Sequence, residues 1–585
     1  IRDYDSNGGW LAEDMLKITP DGRLINNKNQ NLMQMENGVF IDFAVAVDIE
    51  NHKAAIYIDD KLVSQTEINS EIKKLPLVRF WIDTGNNGDL TLDKVEVTGM
   101  SKPYTPDVFN GTSVFHEDNA IKEYLKGKVA FHGYGKTAFY NGEKHTSETL
   151  YYDKENNAIY ADCATLNTAY NIKLRPHASY SGVRKITYGG ENLFEVKDLA
   201  KKLLKYNVFD DKAGMVITSK DAIELDNSME TEEYKINGTV NYPYTDIKTL
   251  NWYMAYQRPD ASQILSTFNE SGEKGHPRLL AVKSDFDRIR SDMKTDEYTK
   301  RMCDYLISKA DSMLTLEPYK YALPDKQRIT GVPEGLSDRI DHLAFAWQMT
   351  NDRKYVECAW KNLKAAAEFP DWNPSHIIDT AALTYAFAIA YDWMYDGFTA
   401  DERNVIYTAA TEKGLKVMYK AYYGRLVQWP QYANRSDGFV KWKSNFNTVV
   451  NGGVLAGAMA FMENDETFFC DAAEKAIRSL EFTMIGFAPD GAWIEGPGYW
   501  HYAMTYMAKG VGSLMTADGT DFGLMRSAGM KETAMFFRSM NSPLGCNNFH
   551  DTAPGRQQSP LTEWLAKVYN EPKYFAMRKS QAKNG

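Results

Sequence analysis

The feature that most restricts what this chain can fold into is a change of texture near residue 276. From there on, apolar residues recur with the 3.6-residue period of a packed helix over 285–314, 338–349, 355–368, 377–395, 400–422, 447–462, 466–484, 502–516 and 522–540. Short breaks join consecutive stretches, so neighbouring helices are expected to run antiparallel as αα-hairpins. Ser284, Ser337 and Thr399 stand where N-caps are expected, each followed by acidic residues in the first turn. Six or so such hairpins close into an (α/α) toroid, whose central cleft suits a long polymer. The longest break, 424–444, carries Trp429, Tyr432, Arg435, Lys441, Trp442 and Lys443. A loop of that length inside a compact helical domain is usually functional.

Upstream of this region the period is two. Residues 39–48, 55–63, 78–83 and 92–97 alternate apolar with polar, broken by turn chemistry at Asp59-Asp60 and Gly85-Asn86-Asn87-Gly88. This predicts an antiparallel β-sandwich over 1–100, which resembles the closing half of a laminin-G or concanavalin-like jelly roll, a shape often used as a carbohydrate-binding module. Residues 101–260 mix strands at 158–162, 171–174 and 213–218 with one short amphipathic helix at 196–206. Their order after Asn141-Gly142 resembles the small α+β module at the N-terminus of copper amine oxidases. With no copper-ligand cluster, it reads as a spacer or accessory domain. The fold class is therefore multidomain: a β-sandwich, a small α+β domain, then a large all-α toroid over 275–585. The chain opens at Ile1 within strand-like sequence, as a trimmed N-terminus would.

Composition bounds the function. The 585 residues are 43% hydrophobic and 25% charged, so the chain can bury sizeable cores. A net charge of −11 argues against a nucleic-acid or anionic-membrane partner, though a locally basic cleft remains open to an anionic substrate. No apolar run approaches the roughly 20 residues that span a bilayer. The five cysteines are scattered without a CxxC, and Cys358 and Cys470 fall on apolar helical faces, which reads as buried thiols. The ten histidines form no HxH or HxxxH cluster, so no metal is assigned.

Three segments concentrate polar and aromatic chemistry. They are Asp371-Trp-Asn-Pro-Ser-His-Ile-Ile-Asp379, Lys443-Ser-Asn-Phe-Asn-Thr-Val-Val-Asn-Gly-Gly453, and Pro489-Asp-Gly-Ala-Trp-Ile-Glu-Gly-Pro-Gly-Tyr-Trp-His-Tyr502. Together with His276-Pro-Arg-Leu-Leu280 they resemble the heparinase II/III-like polysaccharide lyases, which have an (α/α) toroid fold. The resemblance covers about half of the chain, from Gly275 onward. It implies β-elimination on an acidic, uronate-containing polysaccharide such as heparan sulfate, chondroitin or alginate. It also implies bacterial polysaccharide breakdown outside the cytoplasm, by a secreted or cell-surface protein. That chemistry requires no cofactor. A structural divalent metal stays open, because some relatives hold a zinc in a C-terminal domain. The family usually follows its toroid with a β-sandwich, and no strand-rich sequence follows Trp564. Oligomeric state is left open.

The residues fit that chemistry in stated roles. Elimination removes the C5 proton beside a carboxylate, whose charge must be neutralised by donors such as a preorganised amide. Asn445 lies 54 residues before Tyr499, the spacing the family implies between neutraliser and catalytic tyrosine. Asn447 and Asn451 share its helix start, where free N–H groups favour an anion; the alternative for all three is helix capping. Relatives carry Asn-His where this chain has Asn445-Phe446. A phenol at Tyr499 donates a proton to the leaving oxygen or, as phenolate, takes one. His550, His501 and His376 compete for the second proton transfer, with His550 matching the family's cleft position best and His376 placed to contact the sugar. Trp442, Lys443, Glu495 and Arg556 complete the expected substrate-binding set. Two other readings stay open. A toroid hydrolase would need a carboxylate pair drawn from Asp379, Asp392, Asp490 and Glu495. The third is a non-catalytic carbohydrate-binding scaffold.

Overall fold

The computed structural model describes residues 2–4, 10–12, 16–18, 23–34, 43–48, 52–58, 61–68, 118–147, 149–211, 214–223, 247–271, 275–423, 438–488, 490–542, 545–547, 549–550 and 559–574. It divides into two compact units, Ile1–Gly111 with Tyr423–Arg425, and Thr112–Tyr422 with Leu426–Gly585.

The described strands of the first unit all pair antiparallel. Leu16–Ile18, Arg23–Asn26 and Asn31–Gln34 form one meander, and Phe43–Asp48, Lys53–Ile58 and Lys61–Glu67 form another. The period of two is realised physically: Ala54, Ile56 and Ile58 are buried on one face. The buried Asn26 bridges the meanders by donating from Nδ2 to Ser64 Oγ at 2.8 Å. The strands expected at 78–83 and 92–97 lie outside the described residues.

In the second unit, residues 118–223 build two antiparallel sheets. One has five strands, in the spatial order Glu143–Thr146, Thr137–Tyr140, Lys128–His132, Met215–Ser219, Asn207–Asp211. The other has four, in the order Tyr151–Asp153, Ala158–Asp162, Glu191–Glu195, Lys185–Tyr188. The helix Cys163–Tyr170 packs into their shared core through Cys163, Leu166 and Tyr170. Residues 171–174, expected as a strand, instead follow a left-handed C-cap at Asn171. The expected helix at 196–206 is one short α-turn, Val196–Asp198, continued by π-helical turns to Leu204. This module is joined tightly to the helical region by the helix Ile247–Ala255. That helix approaches so closely that a Cβ on Gly135 would sit 2.6 Å from the Ala255 carbonyl. Tyr256 and Arg258, just beyond it, both donate to the buried Glu481 at 2.7 and 3.0 Å.

The helical region is organised by four helices: α1 (Val332–Thr350), α2 (Ile377–Trp393), α3 (Asn445–Phe461) and α4 (Gly496–Ala517). Their contacts advance in the same direction along both partners, so all four are parallel. Ser337 and Asp341 on α1 meet Ala382 and Tyr385 on α2. Phe446 and Gly453 on α3 meet His376 and Ala381 at and beyond the start of α2. Asn445 and Gly452 meet Glu495 and Tyr506 of the α4 segment, and Glu334 and Asp341 of α1 meet Tyr502 and Lys509 of α4. The intervening helices return antiparallel outside them; on Glu466–Met484, Ser479 meets Asn451 while Cys470 meets Met462. Almost every residue of α2 and α3 is buried, as expected for helices apolar on all sides. Gly452, Gly453 and Gly510 permit the approach, since a Cβ at any of them would fall within 2.7 Å of a neighbouring backbone atom.

Several boundaries differ from expectation for local reasons. Thr399 does cap its helix, in a reciprocal box with Glu402. Ser337 lies inside α1, which starts at Val332 with Pro333 in its first turn, and its hydroxyl binds Ala382 instead. Ser284 lies one residue inside Lys283–Asp292. The 285–314 stretch is two helices, the second capped by Asp296, and 522–540 is helical only at Leu524–Arg526 and Thr533–Ser539. No described helix is long and apolar enough to cross a membrane.

The C-terminal ends of α2 and α3 are clamped by the His276-Pro-Arg-Leu segment. Asp392 accepts from the backbone N–H groups of Arg278 and Leu279 and from His276 Nδ1 at 2.5 Å. Arg278, 1% exposed, donates to the Met459 and Ala460 carbonyls at the end of α3 and pairs with Glu463. The cation thus meets the negative end of the helix dipole. Burial alone would lower the His276 imidazole, but hydrogen bonds to Asp392 and Glu463 raise it above its usual value. A histidine raised in this way stabilises fully below about pH 6.5 and loses that contribution as pH rises through its folded value. Arg278→Met is expected to cost about 3 kcal/mol, read from the urea midpoint. His276→Gln is expected to lower stability at pH 6 and to flatten the loss that the native chain shows on going alkaline.

Candidate active site at the N-terminal ends of the inner helices

Because α1 to α4 are parallel, their N-termini, each carrying the positive end of a helix dipole, lie at one end of the bundle. Asn445 opens α3. Its own N-cap, Ser444, makes no capping bond; the backbone N–H and Nδ2 of Asn445 instead both donate to the Glu495 carboxylate, at 2.7 and 2.8 Å. Glu495 is itself the N-cap residue of α4, so one carboxylate closes the start of α3 and fixes α4 against it. Burial raises the Glu495 carboxyl above its ordinary value, opposed by the Asn445 hydrogen bonds and by the nearby charge of His550. Asn445 is 3% exposed, and among the described residues its Oδ1 finds no hydrogen-bond partner; neither do the buried hydroxyls of Ser444 and Thr448 on the same turn.

Tyr499 follows Glu495 by one helical turn and is half-buried. Tyr499, Tyr502, Tyr506 and Lys509 share one face of α4. Tyr502 donates to Glu334 at 3.2 Å, and Lys509 pairs with Asp341 at 3.3 Å while lying over the Tyr385 ring. The loop entering α1 carries Arg328, exposed and bonded to Asp325, close enough to Tyr499 and Asp379 for their charges to act on its guanidinium.

The start of α2 supplies the third group. Asn373 adopts a left-handed conformation, which asparagine tolerates. Its side chain accepts from Ser375 and donates to the Gln327 carbonyl and to Asp379 Oδ2. Asp379, 3% exposed, also accepts from the Ile329 backbone N–H at 2.8 Å and from His376 Nδ1 at 2.7 Å. The His376 ring meets Phe446 edge-on at 6.0 Å, and Phe446 in turn meets Trp442 at 5.5 Å.

The structure therefore brings Asn445, Glu495, Tyr499 and His550 to one end of the bundle, with His376 and Trp442 joined to them through Phe446. Lys443 precedes Ser444 and is exposed, with its ammonium lowered by desolvation. Two expected residues are elsewhere. Asn447 is fully buried and saturated by the Phe439 and Val440 carbonyls, Ser479 and Thr483, so it is a packing residue and not a substrate ligand. His501 projects from the opposite side of α4 to Tyr499, where its Nδ1 meets Ser559 Oγ at 2.9 Å, and burial lowers it. Arg556, Asp551, Trp429, Tyr432 and Arg435 lie outside the described residues. Arg328 and Glu334 escaped the sequence reading; the available signal was the Gly331-Val-Pro333 helix start that places their loop at this end.

Of the carboxylates a hydrolase could draw on, Asp379 and Asp392 do not form a pair. Asp379 and Asp392 sit 13 residues apart on α2, about 20 Å, against the roughly 5–9.5 Å of a glycosidase pair. Asp392 serves the opposite end of the bundle. Among the described residues no group of His, Cys, Asp or Glu is arranged to hold a metal. No model of a known protein family matches this chain, and no curated protein matches it.

Glu495→Ala is expected to uncap α3 and cost about 1–2 kcal/mol, read from the thermal midpoint. Since the folded carboxyl titrates above its unfolded counterpart, its contribution is complete below the ordinary glutamate value and declines as pH rises. The gap between wild type and Glu495→Ala should shrink accordingly.

Proposed function

We propose that this chain is a polysaccharide lyase of the heparinase II/III-like type, cleaving a uronate-containing polymer by β-elimination on an (α/α) toroid domain. One observation carries the reading: the amide of Asn445 and the phenol of Tyr499, from consecutive inner helices, share the N-terminal end of a parallel bundle, tied there by Glu495. The alternation of inner parallel and outer returning helices supports the toroid.

The chemistry follows from the groups present. An amide nitrogen has two hydrogens; Glu495 holds one on Asn445, and the other donates to the uronate carboxylate from the floor of the site. Four positive dipole ends add to this and favour the charge that builds as the C5 proton leaves. The C5–H electron pair becomes the C4=C5 double bond, the C4–O bond breaks, and Tyr499 gives its proton to the departing oxygen. A histidine of the same end, His376 or His550, takes the C5 proton. Arg328 attracts the anionic chain and stabilises the phenolate left on Tyr499. Trp442 offers an aromatic face for sugar stacking. The separation of Asp379 from Asp392, and the commitment of Glu495 to Asn445, favour this reading over hydrolysis.

Incubation with heparan sulfate, chondroitin, hyaluronan and alginate should yield unsaturated products absorbing in the ultraviolet on at least one polymer. Tyr499→Phe should lower kcat about 10²–10⁴-fold and Asn445→Ala about 10²–10³-fold. Saturated products, or binding without turnover on every polymer, would overturn the proposal.

A further inference from the structure

The proton balance of the elimination leaves one group to be chosen, and the structure distinguishes the candidates by how they are held. His550 is exposed, in a left-handed turn. His501 faces away from Tyr499. His376 is held by a buried carboxylate at the start of α2, and that carboxylate organises more than the histidine.

We infer that Asp379 is the positioning residue of the site, fixing His376 as the acceptor of the C5 proton and holding the Arg328 loop at the end of the bundle that carries Tyr499. The inference rests on the lyase reading above. The two oxygens of Asp379 divide the work. Oδ2 accepts from Ile329 N–H and from Asn373 Nδ2, both at 2.8 Å. These bonds fix the backbone immediately after Arg328 and the turn immediately before His376. Asn373 reinforces this by also donating to the Gln327 carbonyl at 2.7 Å, so the Arg328 loop is tied on both sides of that residue. Oδ1 faces His376 Nδ1 at 2.7 Å. An ionised carboxylate only accepts, so the proton of that contact belongs to Nδ1. In the neutral ring Nε2 then carries the lone pair, which makes it the basic nitrogen. When Nε2 takes the C5 proton, the imidazolium forms against a carboxylate already in place, without reorganisation. The electron pair released at C5 forms the C4=C5 bond, the C4–O bond breaks, and Tyr499 supplies the proton to the leaving oxygen. Solvent then returns the proton from His376 and restores that of Tyr499.

Arg328 is the second consequence. Ile329 precedes the start of α1 by three residues, and Glu334 in the first turn of α1 binds Tyr502, one turn beyond Tyr499. Locking Ile329 therefore holds the Arg328 loop at the same end as the phenol, with the guanidinium bonded to Asp325 and within electrostatic reach of Tyr499 and Asp379.

The test is Asp379→Asn, read first by the ring-nitrogen NMR signals of His376 in the full chain, assigned by their loss in His376→Gln. Neutral wild-type His376 should carry its proton on Nδ1. An asparagine amide must keep its oxygen toward Ile329 N–H and Asn373 Nδ2, so its NH₂ turns to the ring and should move the proton to Nε2. On a polymer that the wild type cleaves, kcat should fall about 10²–10⁴-fold in both variants with KM changed only a few-fold. His376→Gln leaves the Ile329 and Asn373 bonds intact, so it tests the proton transfer even if Asp379→Asn fails to fold. A wild-type ring protonated on Nε2, or His376→Gln retaining more than a tenth of wild-type kcat, would overturn the inference. If the wild type cleaves no uronate polymer, the lyase reading falls and the proton-transfer role with it, while the ring signals still decide whether Asp379 sets the tautomer.

Discussion

The close parallel packing of four helices is the constraint from which the rest of the helical region follows. At Gly452, Gly453 and Gly510 the backbones come near enough that no side chain fits between them. α3 can therefore touch α2 and α4 at once. Larger residues would separate the axes, and the polar contacts at the two ends of the bundle would fall out of reach. The near-total burial of α2 and α3 is the energetic counterpart of this closeness, since each side chain taken from water adds of order 1 kcal/mol.

Parallel packing makes the two ends of the bundle electrostatically unlike, and the sequence treats them differently. At the C-terminal end, Arg278 and His276 face the terminal carbonyls of α3 and the buried Asp392, so cations meet negative dipole ends and the contact is structural. At the N-terminal end, Asp379 and Glu495 meet free N–H groups, and each also grips a side chain suited to proton transfer or anion binding. Buried carboxylates that hold more than one donor are costly to misplace. The same bonds that stabilise the helix starts therefore also hold the side chains of the candidate site in place.

The sequence motifs separate along these lines. His276-Pro-Arg-Leu and Asn451-Gly452-Gly453 serve the clamp and the close packing. Asn373-Pro-Ser-His376 and Glu495-Gly-Pro-Gly-Tyr499 lie at the candidate site. Proximity of these motifs in the sequence says nothing about the division; Lys443-Ser-Asn-Phe-Asn-Thr-Val-Val-Asn-Gly-Gly453 contains both kinds within eleven residues.

Periodicity by itself determined that residues beyond 276 form successive helices, that Thr399 caps one of them, and that the first unit is antiparallel β, because helix and strand periods and cap chemistry are local. Periodicity weakens where burial is complete, so the start of α4 at Gly496 was not legible from the apolar pattern. The resemblance of their motifs to the lyase family marked Asn445 and Tyr499, yet nothing local in the chain revealed that Glu495 would hold one and lead into the other. Nor could it show that Asn447, two residues from Asn445, would point into a dry polar knot, or that His501 would lie across the helix from Tyr499. Arg328 entered only through tertiary structure, on a loop fixed by a carboxylate 51 residues away. A residue's helix or strand is set by neighbours within a turn or two, whereas the face it presents, and what meets that face, depend on which distant segments pack closely enough to exclude water.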